Sequence, residues 1–145
     1  MAQFEPVLTR YVKEPNSYTL DFYVQHGGYE AMRKAVTMTP EAIIDELKKS
    51  GLRGRGGAGF PTGMKWGFVP KDIPKPKYLL INADESEPRP FKDHVLLERN
   101  PHLLFEGCVI GCRAIGAKVC YIYIRGEFYH LQRQLEAEIA KARAG

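Results

Sequence analysis

No apolar run in this chain approaches the roughly 20 residues that a membrane-spanning helix needs. Residues 1–15 carry Glu5 and Glu14 where a secretory leader would hold its apolar core. A soluble, cytoplasmic protein with no direct membrane insertion is expected. Cysteine is scarce: Cys108, Cys112 and Cys120 have neither the paired spacing of a zinc site nor the tight run of an iron–sulfur ligand set, so they read as buried thiols. His26, His94, His102 and His130 show no metal spacing and no nucleophile partner, and solvated or core roles are expected for them. Repeats and polar low-complexity tracts are lacking too, which excludes a solenoid; a composition 44% hydrophobic and 26% charged excludes a disordered chain.

A concentrated basic stripe is also missing. The net charge is +4, but Lys and Arg are spread along the chain and interleaved with acids, so nucleic acid is not an expected partner. The small surplus suits anionic phosphates or an acidic protein surface, and an ordinary solvated surface explains it more simply.

What is present fits one domain: 145 residues can bury about 68–70% of the surface an unfolded chain exposes. The first twenty or so residues read as an irregular arm. Residues 19–36 have helical spacing interrupted at Gly27-Gly28, which predicts two short helices. Thr39-Pro40-Glu41 is a strong helix start, Ile43, Ile44 and Leu47 form a buried face, and Gly51 suits a left-handed exit. After a proline-rich connection at 70–76, Tyr78-Leu79-Leu80-Ile81 and then residues 119–124 read as parallel strands buried on both faces. Between them Asn100 is expected to cap, and Pro101 to open, a crossover helix whose Gly107 and Gly111 would sit close on the sheet. A last helix near 129–144 would bury Leu131, Leu135 and Ile139. The expected fold class is α/β: a Rossmann-like parallel sheet with flanking helices, incomplete at the carboxyl end because a third strand would normally follow Gly145. Residues 1–50 form the arm and helices, and residues 51–145 the first part of the α/β domain.

The chemistry is concentrated in two segments. Residues 51–60 hold five glycines and two arginines, and Gly54, Gly56 and Gly59 have dinucleotide-fingerprint spacing. That loop follows a helix rather than a strand, so it is not an ordinary Rossmann turn. Its physical content remains: glycines let a flat ring or a phosphate reach the backbone, and successive amides form an anion-binding concavity. Arg53, Arg55 and Lys65 add cations, and Phe60, Trp66 and Phe68 add flat faces for a ring. The competing reading is a glycine-rich surface turn beside a satellite aromatic cluster.

Asn82, Asp84, Glu85 and Glu87 follow directly on the first strand, at the edge where open α/β sheets bind ligands. Their carboxylates would repel phosphate yet accept hydrogen bonds from ribose or ribityl hydroxyls. For Glu87 alone, an acidic first turn serving a helix dipole competes. Arg125-Gly126-Glu127, after the second strand, offers a lining role at most.

Taken together, Gly54, Arg55, Gly56, Gly57, Ala58, Gly59, Phe60, Pro61, Thr62 and Gly63, then Lys65-Trp66, Asn82 through Pro88, and Phe91-Lys92-Asp93, resemble the NADH-binding flavoprotein subunit of respiratory complex I. The flavin modules of NAD-linked hydrogenases and formate dehydrogenases share these motifs. The resemblance implies that the 54–63 loop binds FMN and NADH, that Lys65 contacts the nucleotide and that Phe68 stacks on its adenine. It further implies that Asn82, Asp84, Glu85 and Glu87 line the flavin and nicotinamide site. Hydride transfer from nicotinamide C4 to FMN N5 is implied, followed by single-electron transfer to iron–sulfur clusters and quinone, with no protein acid or base required. Implied partners are the other peripheral-arm subunits of complex I, especially its [2Fe–2S] thioredoxin-like subunit, so that the protein would lie peripheral to the inner (plasma) membrane. Two departures stand out: Arg89-Pro90 replaces the family's glycine and small hydroxylated residue, and the family's paired-glutamate loop and four-cysteine [4Fe–4S] ligand set do not occur here. A chain of this extent is expected not to complete the reaction alone, and a non-catalytic nucleotide-binding fragment is the alternative.

Overall fold

The computed structural model describes residues 5–86 and 91–144. Along the chain the elements are α1 (Leu20–Gln25), α2 (Glu30–Thr37), α3 (Pro40–Ser50), α4 (Thr62–Gly67), β1 (Tyr78–Asn82), α5 (Lys92–Arg99), α6 (Pro101–Ile115), β2 (Val119–Tyr123), a 3-10 turn (Gly126–Phe128) and α7 (Tyr129–Ala144). Strands β1 and β2 pair in a two-stranded sheet, and their separation by a helical crossover makes it parallel.

The chain groups into two compact units, each discontinuous in sequence. The first comprises Met1–Tyr29, Ile81–Glu106 and Ile122–Gly145. Its core is Ala83, Leu97, Phe105, Leu131 and Leu135, with Ile122, Phe128 and Ile139 packed against them. The second comprises Glu30–Leu80 and Gly107–Tyr121. It is built on Ala35, Ile43, Ile44 and Ala114, with Leu47, Trp66 and Ile110 around them.

Local chemistry explains most boundaries. The glycine pair separates α1 from α2, and Tyr29 takes the left-handed conformation there at φ 65. At the start of α3 the Thr39 hydroxyl accepts from the Ala42 amide at 3.2 Å, Pro40 occupies the first turn, and Gly51 ends the helix at φ 68. Replacing Thr39 with alanine is expected to cost about 1 kcal/mol, read as a lowered urea midpoint; an unchanged midpoint would show that the cap contributes nothing.

Three expectations need correction, and two helices come in addition. Strand residues alternate between exposed and half-buried, with Leu80 72% and Tyr123 65% exposed, instead of being buried on both faces. The helices cover alternate positions only: Leu79 meets Gly111 of α6, and Ile122 joins the first core. Gly111 is the close-approach position, since a Cβ there would lie 3.1 Å from Leu79, while one on Gly107 would meet nothing within 4 Å. Asn100 gives its side-chain amide to the Leu8 carbonyl at 3.2 Å instead of capping α6. Helices α4 and α5 were not foreseen, because six and eight residues are too few for a 3.6-residue period to stand out.

The first unit also buries a polar network. His102 Nε2 faces Glu138 Oε2 at 3.0 Å, and the Tyr29 hydroxyl faces His102 Nδ1 at 2.8 Å. Glu138 also accepts from Lys141 at 2.7 Å and from the Leu20 amide at 3.2 Å. Glu106 accepts from the Tyr23 hydroxyl and from the Tyr29 amide. Burial, reinforced by Glu106, pushes the Tyr29 hydroxyl up to about 12.

Candidate functional site

The glycine-rich stretch, in the second unit, is a narrow loop closed at its base. The Thr62 amide donates to the Leu52 carbonyl and the Gly54 amide to the Phe60 carbonyl, each at 2.9 Å, and Arg53 and Pro61 form an antiparallel bridge. Arg53 braces the loop from within, its Nε donating to the Gly59 carbonyl at 2.7 Å. It is therefore a structural cation, unlike Arg55 and Lys65, whose exposed side chains make no hydrogen bond or ion pair among the described residues.

The glycines divide by what they do. Gly57 at φ 126 and Gly59 at φ 61 hold backbone conformations that side chains resist. Gly63 is a packing glycine: a Cβ there would stand 2.7 Å from the Lys48 amide nitrogen and 3.0 Å from the Ile44 carbonyl, so its absence lets α4 sit against α3. Gly56 meets neither demand, having no positive φ and nothing within 4 Å of where a Cβ would stand. Its bareness leaves the outer backbone of the loop open to a ligand. Phe60 and Phe68 present exposed rings 6.1 Å apart at 51°. Trp66, offered by the sequence as a third stacking face, turns instead into the second core beside Gly111.

The acidic segment, in the first unit, begins where the Ala83 amide extends the sheet by donating to the Tyr123 carbonyl at 2.8 Å. The Asn82 side-chain oxygen accepts from the Asp84 amide at 3.0 Å, and the Ser86 hydroxyl donates to Asp84 Oδ2 at 2.5 Å. Asp84 Oδ1 lies 3.5 Å from Arg125 Nε, and the same guanidinium pairs with Glu127 at 2.8 Å. Arg125, credited by the sequence with no more than a lining role, thus lowers the charge of this segment. Its signal was present in Arg125-Gly126-Glu127, but a charged pair is ordinary at a strand end.

Glu85 commits both oxygens to α5, accepting from the Asp93 amide at 3.1 Å and the His94 amide at 3.0 Å. Phe91 precedes this helix and offers no side-chain cap, so Glu85 supplies one from a distance. Partial burial pushes its carboxyl up, but those amides and the nearby Lys92 outweigh it and hold the group below its ordinary range. Glu87 and the Arg89-Pro90 departure lie outside the described residues.

Neither the cysteines nor the histidines assemble a metal-binding group among the described residues. Cys108 is buried and Cys112 and Cys120 half-buried, and burial pushes the Cys108 thiol up.

A family model described as the Nuo51 FMN-binding domain matches residues 47–145. An NADH-quinone oxidoreductase subunit of Rhizobium meliloti (strain 1021) is 55% identical over 96% of this chain and 33% of its own length. An NADH-quinone oxidoreductase subunit of Streptomyces coelicolor (strain ATCC BAA-471 / A3(2) / M145) is 53% identical over 96% of this chain and 31% of its own length. The chain spans about a third of these relatives. Among solved structures, an NAD+-reducing [NiFe]-hydrogenase in the H2-reduced state is similar with a TM-score of 0.74 and 39% identity, over 98% of this chain and 23% of that one.

Proposed function

Since the chain belongs to the family of the Nuo51 FMN-binding domain, we propose that it is the FMN- and NADH-binding part of an NADH dehydrogenase (quinone) flavoprotein subunit. The observation that carries this reading is the bare outer backbone at Gly56 and Gly57, flanked by Arg55 and Lys65 without partners among the described residues and by the exposed rings of Phe60 and Phe68. An anionic, flat, hydroxylated group suits that set: amides and cations for phosphate, and rings for stacking.

The loop residues Gly54 to Gly59, with Ala58, Phe60, Pro61 and Thr62, hold the nucleotide backbone-first, and Lys65 and Arg55 neutralise its phosphate. The Asp84 carboxylate accepts from sugar hydroxyls and the Asn82 side-chain amide donates to them, with Glu87 as a further acceptor. Glu85 serves by fixing α5 behind the segment, and Gly63 by seating α4. When bound, FMN would supply the chemistry of a hydride acceptor that can also exchange single electrons. The protein's share is orientation and exclusion of water.

In this reading the two parallel strands begin a Rossmann-like sheet in a domain running on from residue 51, after an arm and helices at 1–50. Onward transfer to quinone belongs to the rest of such a subunit, with its [4Fe–4S] cluster, and to peripheral-arm neighbours, foremost a [2Fe–2S] thioredoxin-like subunit, on the cytoplasmic side of the membrane. The hydrogenase likeness supports a second reading, the flavin subunit of a soluble NAD-linked hydrogenase or of a formate dehydrogenase.

In the complete subunit, FMN is expected to remain bound through purification and to bleach on anaerobic addition of NADH. Retained FMN without bleaching would reduce the proposal to a non-catalytic nucleotide-binding module. Asp84→Ala or Lys65→Ala is expected to weaken FMN or NADH binding by about 1–3 kcal/mol, the usual cost of removing one partner of a polar contact. Unchanged affinities in both variants would contradict the site assignment.

A further inference from the structure

A pocket of about 200 Å³ lies in the first unit, with none of the residues given a flavin or nucleotide role in its described lining; it is lined among others by Arg10, Tyr11, Ser17, Phe22, His26 and Leu103. Its wall is aromatic. Phe22 and His26 stack with centroids 4.0 Å apart, and Tyr11 meets Phe22 edge-on at 5.5 Å. The His26 Nδ1–H donates to the Phe22 carbonyl at 2.7 Å, which fixes the imidazole plane.

Two features point to a ligand independently of that shape. Ser17 is 4% exposed and its hydroxyl has no hydrogen-bond partner among the described residues, although buried hydroxyls are normally satisfied. Among the described lining residues the one formally charged side chain is the Arg10 guanidinium, and none is acidic. Arg10 pairs through one terminal nitrogen with Glu5, an exposed carboxylate that a bound anion can displace, and otherwise lies 6.0 Å over the Tyr11 ring.

We propose that this pocket binds a small carboxylate with a compact apolar body. Arg10 and the Ser17 hydroxyl take the carboxylate, and the aromatic wall with Leu103 takes the body. A lone phosphate would leave the apolar wall unused, and a neutral hydrocarbon would leave Ser17 unsatisfied. The site does not depend on the flavin reading.

The test is a titration of the chain with benzoate, followed by amide and aromatic NMR shifts, with benzyl alcohol as a neutral control of similar shape. Saturable shifts at Tyr11, Phe22 and His26 are expected, with about tenfold weaker binding in Arg10→Gln and in Ser17→Ala from loss of a charge-assisted contact. Absence of saturation, equal binding of benzyl alcohol, or wild-type affinity in the variants would overturn the proposal. A Ser17→Ala variant that is simply more stable, with benzoate binding unchanged, would also overturn it, by showing that the hydroxyl was an orphan of packing. Arg10 is partly exposed, so Arg10→Gln carries the comparison should the serine variant fold poorly.

Discussion

Replacing Glu138 with alanine is expected to destabilise the chain by about 1–3 kcal/mol for each hydrogen-bond donor that it leaves buried without an acceptor. Glu138 and His102 have side chains 3% and 1% exposed, so water cannot replace what is lost. Truncation strands His102 Nε2 and the Leu20 amide, and removes the acceptor of Lys141. Glu138→Gln keeps an oxygen facing His102 and is expected to lose less. Urea melts of both variants check this, and a midpoint for the alanine variant within error of the parent would contradict it.

The same network sets a direction for pH. Because the Glu138 carboxylate only accepts, His102 Nε2 carries the proton and Nδ1 accepts from the Tyr29 hydroxyl, which describes a neutral imidazole. Burial depresses the His102 pKa, against the pull of Glu138 in the other direction. The unfolded chain therefore takes up a proton near pH 6.5 that the folded chain does not, so stability is full above about 6.5 and falls below it. Glu138 adds to this at lower pH. Burial pushes its carboxyl up, but Lys141, His102 and the Leu20 amide outweigh that and hold it below the ordinary range. Its contribution is present above the unfolded pKa of about 4.3 and is lost as pH falls through the folded value.

The second large effect is expected at Gly63. A methyl group there would press on two backbone atoms, the Lys48 nitrogen at 2.7 Å and the Ile44 oxygen at 3.0 Å, neither of which a rotamer change can move away. Gly63→Ala is expected to cost about 1–3 kcal/mol by overpacking. It would also loosen nucleotide binding, because α4 carries Lys65 and follows directly on the loop. Gly56→Ala is the informative contrast: its Cβ meets nothing in the protein, so stability should hold and any loss should appear in ligand affinity alone. Equal destabilisation by both substitutions would contradict the division of the glycines into packing and ligand-facing positions.

Much of this was legible in the residues, and the exceptions have physical reasons. The Thr39-Pro40-Glu41 start and Gly51 stop of α3 were readable because caps act over a few adjacent residues. The break at Gly27-Gly28 was readable for the same reason. Burial was harder: continuous apolar runs at 78–81 and 119–124 suggested cover on both faces, but cover depends on what packs there, and Tyr121 and Leu80 remain exposed. Within the candidate site, residue types were legible and their partners were not. Nothing local marks Arg53 as a brace, Trp66 as core or Glu85 as the cap of a helix eight residues on, since each depends on a contact made only by the folded chain. The charge pattern likewise hid Glu138, which reads as one more acid on a polar helix face.

The central claim, that the glycine-rich loop holds a flavin nucleotide, is tested most directly by titrating FMN into the chain and following the quenching of flavin fluorescence. One equivalent is expected to bind saturably, with affinity falling in Lys65→Ala and Gly56→Val while the urea midpoints of both variants stay at the parent value. Absence of saturable quenching, or parent-like affinity in both variants, would contradict the claim.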